Sequence, residues 1–288
     1  DNTGGIDMRS RHITIKRLER YKDHLLQEER SPATVEKYLR DVKEFVRWLD
    51  GGPVSKQSAV AWKSGLLSRG LTPATVNAKL CAVNNFLRFM KWDDCRVKLL
   101  RIQRRVFREQ ARSLSREEYL RLLDTARDQG RTRLELLMEA ICSTGIRVGE
   151  VKYLTVEAAR AGKAVVALKG KVRAILLPGK LCRKLLKYAQ KQKTASGEIF
   201  LTKDGTSLSR KQIWREMKSL CAAAGVKPSK VFPHNLRHLF ATVFYRACRD
   251  IVKLADVLGH SSIETTRIYL QSTGLEHTRC LERLELIA

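Results

Sequence analysis

Twice, 41 residues apart, the chain sets a hydroxyl residue, proline, alanine and threonine ahead of an apolar stripe at helical spacing. Ser31-Pro32-Ala33-Thr34 leads into Val35, Leu39, Val42, Val46 and Leu49, with Phe45 beside them. Thr72-Pro73-Ala74-Thr75 leads into Val76, Leu80, Val83, Leu87 and Met90, with Phe86 beside them. A Ser or Thr oxygen can accept from an orphan amide of a first turn, and proline at the first helical position removes one of the orphans outright. Steps of three and four residues gather the apolar side chains on one face, which must then be buried. Gly51-Gly52-Pro53 breaks the chain between the two, and residues 59–67 predict a further helix. With only two copies of the device, the first hundred residues read as an all-helical unit and not as a solenoid.

Between residues 91 and 112 the apolar period fades, and Arg96, Lys98, Arg101, Arg104, Arg105, Arg108 and Arg112 crowd together. This is a domain boundary: either a solvated linker or a segment whose cations track a phosphate backbone. Ser115-Arg116-Glu117-Glu118 then opens a helix with a capping box, and a helix over 133–143 follows. Residues 162–178 carry two β-branched or apolar runs around Lys169-Gly170-Lys171, which predicts a β-hairpin with a cationic turn. Helices are expected over 181–190, 210–224, 235–248, 251–258 and 262–271. The fold class is therefore mainly α with a small β-sheet, in two domains: residues 8–93 and an α+β unit over 113–288, joined by a basic linker, 94–112. Residues 1–7, ahead of Met8, read as an appended remnant.

The charge narrows the partners. Lys and Arg number 56 against 30 Asp and Glu, a net charge of +26. Self-repulsion of that size is best offset by a polyanion, and nucleic acid is the usual one, through counterion release at its phosphates. An anionic membrane surface would ask for a basic amphipathic helix or a lipid anchor, and neither is written here. No run approaches the roughly 18 apolar residues of a membrane span, and no signal-peptide core opens the chain. Seven scattered cysteines without a C-x-x-C pair are expected to be reduced, buried thiols of a cytoplasmic protein, with neither zinc nor a disulfide framework.

Singly, the polar residues of the second half have ordinary explanations. Arg147 follows Thr144-Gly145-Ile146, a helix boundary; His234 and Arg237 open a helix after Pro233; Gly259 ends one helix, and His260 follows it; Tyr269 lies on the next. As a set they match what phosphoryl transfer requires. Planar guanidinium groups pair bidentately with nonbridging phosphate oxygens. A phenol, with a reference pKa of about 10, can attack phosphorus if its proton is removed, and a lysine or histidine can protonate the leaving oxygen. No cluster of metal-binding carboxylates is evident, so side-chain cations are expected to supply the electrostatic stabilisation without metal or other cofactor.

In this order and spacing the residues resemble the tyrosine recombinase (phage integrase, Xer-like) family over nearly the whole chain. Thr144 to Glu150 is similar to its first arginine motif, His234-Asn235-Leu236-Arg237 to its H-x-x-R box and Leu258-Gly259-His260 to its L-G-H box, while Tyr269 stands nine residues after His260. Lys169 sits where the family's hairpin lysine sits; counting back from Arg173 favours it, and Lys171 stays open as the alternative.

The resemblance implies a C-shaped clamp on double-stranded DNA, built from a helical core-binding (SAM-like) domain and a catalytic domain. It implies that Tyr269 attacks the scissile phosphate to give a 3′-phosphotyrosine. Arg147 and Arg237 would hold the nonbridging oxygens, Lys169 would act as general acid, His234 would assist proton transfer and His260 would hydrogen-bond the phosphate. Glu150 would orient Arg147 or its neighbours and not take part directly. In the first domain, Asn77, Lys79, Asn84 and Arg88 are the candidate DNA contacts, with Arg101, Arg104 and Arg105 in the linker. The tail, 275–288, either packs on its own domain or docks on a neighbour to build a tetramer on two DNA sites. A type IB topoisomerase and a catalytically inactive DNA-binding factor are the rivals; a second histidine at His260 speaks against the first, and the full residue set against the second.

Overall fold

The computed structural model describes residues 11–102, 113–168 and 171–267. Lys169, Tyr269, Arg104, Arg105 and the tail thus lie outside the described residues, and the chain divides into two compact units, Asp1–Arg104 and Arg105–Ala288.

Among the described residues the first unit holds four α-helices, α1 (Ile15–Gln27), α2 (Pro32–Leu49), α3 (Lys56–Ser68) and α4 (Pro73–Phe89). The apolar stripes are buried as their spacing requires: Val42 and Phe45 of α2 and Leu80 and Phe86 of α4 close on Tyr21 and Trp62. The two echoed starts are capped differently. Thr72 accepts from the amide of Thr75, whereas the Ser31 hydroxyl pairs with Thr34 Oγ1 at 2.8 Å and makes no amide cap.

Three of the expected DNA contacts turn inward in this unit. Asp41 on α2 is buried, and Lys37 reaches it at 3.0 Å. Lys79 on α4 lies 3.7 Å from Asp41 and bonds Glu44, with its side chain only 15% exposed. It therefore ties α4 to α2. Asn77 and Asn84 stand seven residues apart, hence on one face of α4. Asn84 donates to the Val97 carbonyl at 2.8 Å and accepts from the Val97 amide at 2.9 Å. Asn77 does the same at Leu100, at 2.9 and 2.8 Å. A carboxamide carries one carbonyl and one amide donor, so it substitutes for a missing strand partner; the two asparagines fasten the extended segment 97–100 along α4. Arg88 and Arg101 are exposed.

The second unit runs α5 (Arg116–Asp128), α6 (Thr132–Thr144), a 3₁₀ turn (Val148–Tyr153), α7 (Val156–Ala161), β1 (Lys163–Leu168), β2 (Lys171–Leu176), α8 (Gly179–Lys191), α9 (Arg210–Lys218), α10 (Pro233–Cys248), α11 (Ile251–Leu258) and α12 (Ile263–Arg267). The capping box at Ser115 and Glu118 forms as read, with bonds of 2.9 and 3.1 Å. β1 and β2 are antiparallel, in the register Leu168↔Lys171, Val166↔Arg173 and Ala164↔Ile175. Helix α6 runs through the core, with Leu137, Met138, Ala140 and Ile141 fully buried. Helix α9 ends at Lys218, six residues before the expected Ala224. Beyond it Leu220 and Cys221 bond three residues back, at 3.3 and 3.1 Å, a tighter winding that still buries Leu220, Cys221 and Ala224. The apolar rhythm survives although the α-helix does not.

Among the described residues no helix is long and apolar enough to cross a membrane. Cys95, Cys182 and Cys221 are buried as expected, but Cys81 and Cys248 are exposed, each on the solvent side of an amphipathic helix.

The asparagine clamp carries a stability prediction. Asn84→Ala orphans the amide and carbonyl of Val97, so it should lower unfolding free energy by about 1–3 kcal/mol. Urea denaturation tests it; unchanged stability combined with weakened DNA binding would restore Asn84 as a DNA contact.

Candidate active site

The site forms where the ends of α6 and α11 meet α10. Helix α6 closes on Gly145, whose φ of +65° is open to glycine. A Cβ there would fall 2.5 Å from Phe240 Cδ1 and 2.9 Å from Leu258 Cδ2, so the glycine also allows the three helices to touch. The chain then turns through buried Ile146 to Arg147, and Glu150 closes back on it. The Glu150 carboxylate accepts from the Arg147 amide and from Arg147 Nη1, both at 3.0 Å, and from Arg173 Nη2 of β2. Glu150 is only 3% exposed. Burial pushes its pKa up, but the Arg147 amide and the Arg173 and Arg147 guanidinium groups outweigh burial and hold it below the ordinary carboxylate range.

The other wall is the carboxyl end of α11. The Gly259 amide bonds Asp256 O at 3.0 Å and the His260 amide bonds Ala255 O at 3.0 Å, with Gly259 at φ +63°; this is the Schellman pattern. It uses the carbonyls of residues 255 and 256 and leaves the next three for other donors. Arg173 Nη1 donates to Leu258 O at 2.8 Å and lies 3.5 Å from Val257 O. Arg237 Nη2 also donates to Leu258 O, at 2.8 Å, and Arg147 Nη2 reaches Gly259 O at 3.3 Å. The negative end of a helix dipole is a favourable place for cations. It draws together side chains from positions 147, 173 and 237.

Arg237 is 2% exposed on the inner face of α10. Its Nη1 bonds Gly145 O, and its Nη2 also lies 3.0 Å from His260 Nε2. His260 Nδ1 is 2.9 Å from Thr266 Oγ1 on α12. Arginine only donates, so Nε2 accepts and the proton sits on Nδ1, directed at Thr266. Burial first, and then Arg237, Arg147, Arg173 and His234, depress the His260 pKa to about 4. The ring is therefore neutral near pH 7 and orients Arg237. Donation from Nε2 to a phosphate oxygen, the expected role, needs a second proton on the ring or the other tautomer. His234 is exposed, one turn before Arg237 on α10.

Arg147, Glu150, Arg237 and His260 are thus brought together, and Arg147 keeps its side chain 42% exposed. Two further participants, Arg173 and Thr266, were not anticipated as site residues. The signal for Arg173 is its parity on β2: it shares the inward side with Ile175 and Leu177, both buried, while Val172 and Leu176 point outward at 72% and 71% exposure. A charge on the inward side of a strand asks for a partner. Thr266 carries no such signal.

A family model described as the phage integrase family matches residues 112–275, and one for the phage integrase N-terminal SAM-like domain matches residues 18–94. The tyrosine recombinase XerA of Thermococcus kodakarensis is 29% identical over 279 residues, covering 94% of this chain and 95% of that protein. XerC of Neisseria gonorrhoeae is 31% identical over 274 residues, covering 86% and 88%. Among solved structures, a XerH recombinase on palindromic difH substrate in a post-cleavage complex superposes with a TM-score of 0.72 at 20% identity, covering 93% of this chain and 83% of that one. A lambda integrase dimer bound to a COC′ core site gives 0.71 at 18% identity, covering 89% and 77%. At these identities the structural likeness is one of fold.

The His260 arrangement predicts a pH signature. The unfolded chain protonates this ring near 6.5, the folded chain only near 4, so its contribution to stability falls as pH drops through that window and is flat above it. Imidazole NMR should find the ring neutral, with its proton on Nδ1, midway between those values; a midpoint near 6.5 would contradict the buried contact with Arg237.

Proposed function

The chain belongs to the phage integrase family of tyrosine recombinases, and on that premise we propose that it breaks and rejoins DNA at specific sites through Tyr269. The observation that carries the assignment of roles is the convergence of Arg147, Arg237 and His260 on the carboxyl end of α11. The two guanidinium groups pair with the two nonbridging oxygens of a scissile phosphate and stabilise charge that develops as phosphorus becomes five-coordinate. The phosphate's own charge competes for Arg237 and raises the His260 pKa, which allows Nε2 to take a proton and donate to the same oxygen.

In the first step the Tyr269 phenol oxygen bonds to phosphorus and the bond from phosphorus to O5′ breaks. The phenol proton passes to His234, and Lys169, or Lys171 in its place, protonates the departing 5′ oxygen. The product is a 3′-phosphotyrosine and a free 5′ hydroxyl. In the second step a 5′ hydroxyl attacks the phosphotyrosine, the phenol recovers its proton and the lysine is reprotonated from the entering hydroxyl. One phosphoester bond is exchanged for another, so neither step needs ATP. The net charge of +26 and the exposed Arg88 and Arg101 suit the chain, read as domains 8–93 and 113–288 with a basic linker, to a DNA duplex as partner. The tail, 275–288, joins protomers into a tetramer on two DNA sites.

Two measurements test this. Tyr269→Phe should abolish covalent trapping on a nicked suicide substrate while leaving DNA affinity intact; a covalent adduct surviving in that variant defeats the assignment. Removing residues 275–288 should leave single-site binding unchanged and abolish synapsis of two sites, as gel shift and recombination assays would show; normal recombination by the truncated chain disproves the role of the tail.

A further inference from the structure

Arg173 sits four residues from Lys169 and two from Lys171. Roughly 7 Å of strand separates it from Lys171, where the turn ends. Its backbone is fixed by pairing with Val166, and its side chain, 18% exposed, leaves the hairpin for the site. There it forks: Nη2 to Glu150, Nη1 to Leu258 O. It crosses Gly259 so closely that a Cβ at that position would lie 2.4 Å from Arg173 Cδ. The glycine of the L-G-H box is thus needed twice, for its backbone angle and for the passage of this side chain. Glu150 joins Arg173 to Arg147 through its two carboxylate oxygens. Hairpin, first arginine motif and α11 terminus therefore meet in one guanidinium group.

We infer that Arg173 is a positioning residue for the general-acid lysine: it fixes the hairpin bearing Lys169 to Glu150 and the α11 terminus, setting proton donor and phosphate-holding arginines in one frame. This rests on the assignment of a hairpin lysine as general acid and holds for Lys169 or Lys171 alike. Only a planar fork reaches both acceptors from one strand position, so lysine is an incomplete substitute. Arg173 itself faces Glu150 and backbone carbonyls, so its effect is carried by the hairpin.

A general acid matters when the leaving oxygen must be protonated, and hardly at all when the leaving group is a thiolate. Single-turnover cleavage of a suicide substrate is therefore compared for an ordinary phosphodiester and for one with sulfur in place of the bridging 5′ oxygen. Arg173→Met should slow the ordinary substrate by about 10- to 100-fold, as displaced catalytic groups do, and should cleave the sulfur substrate at the parent rate. Arg173→Lys should recover part of the loss on the ordinary substrate. Arg147→Ala should be slow on both. Equal slowing of both substrates by Arg173→Met, or no slowing of either, overturns the inference. If Arg173→Met does not fold, by thermal melting and DNA binding, Arg173→Lys carries the same comparison: slowing on the oxygen substrate alone supports the role, and any other pattern refutes it. Lys169→Ala and Lys171→Ala run beside them. If sulfur rescues neither, the general-acid assignment itself is at fault, a result separate from failure of Arg173 alone.

Discussion

The carbonyl end of α11 organises the candidate active site. A Schellman turn at Gly259 satisfies two of the carbonyls that the helix end would otherwise orphan and leaves the following three facing Arg147, Arg173 and Arg237. Guanidinium groups repel one another, and close grouping is tolerated because Glu150 and the helix terminus lie between them. The same geometry places His260 directly after the turn, against Arg237. On the proposed reading a phosphodiester meets guanidinium groups already held side by side, so that only the local hydrogen bonds of Arg237 and His260 change partner.

The first unit uses polar side chains differently. Asn77 and Asn84 act as surrogate backbone for the segment 97–100, and Lys79 bridges two helices. Their polarity on an amphipathic helix suggested an outward, DNA-facing role; the hydrogen bonds show an inward one. An exposed polar face and a polar face that docks an extended strand carry the same periodic pattern, so sequence alone does not separate them. Arg88 keeps the exposure that a phosphate contact needs.

Much of the fold was legible because its signals are local. Proline at first helical positions, the Ser115–Glu118 box, and glycines at 145 and 259 all act within a few residues, and the hairpin itself followed from two apolar runs. Local signals also failed in identifiable ways. Ser31 sits at a cap position yet bonds a neighbouring hydroxyl, and α9 stops early because 3₁₀ winding preserves the apolar spacing. Helix α7, six residues long, is too short to show a period. At the site, motif order pointed to Arg147, Arg237 and His260, whereas the bridge from Arg173 to Leu258 spans 85 residues and leaves only its inward parity as a clue.

Three arginines lean on the end of one eight-residue helix, and that couples them to one another. Fraying of the last turn of α11 withdraws one carbonyl acceptor from each of the three at once, leaving Arg147 and Arg173 on Glu150 and Arg237 on Gly145 O. The mutual alignment of three cations from distant parts of the chain is thus tied to the cooperative folding of a single short segment.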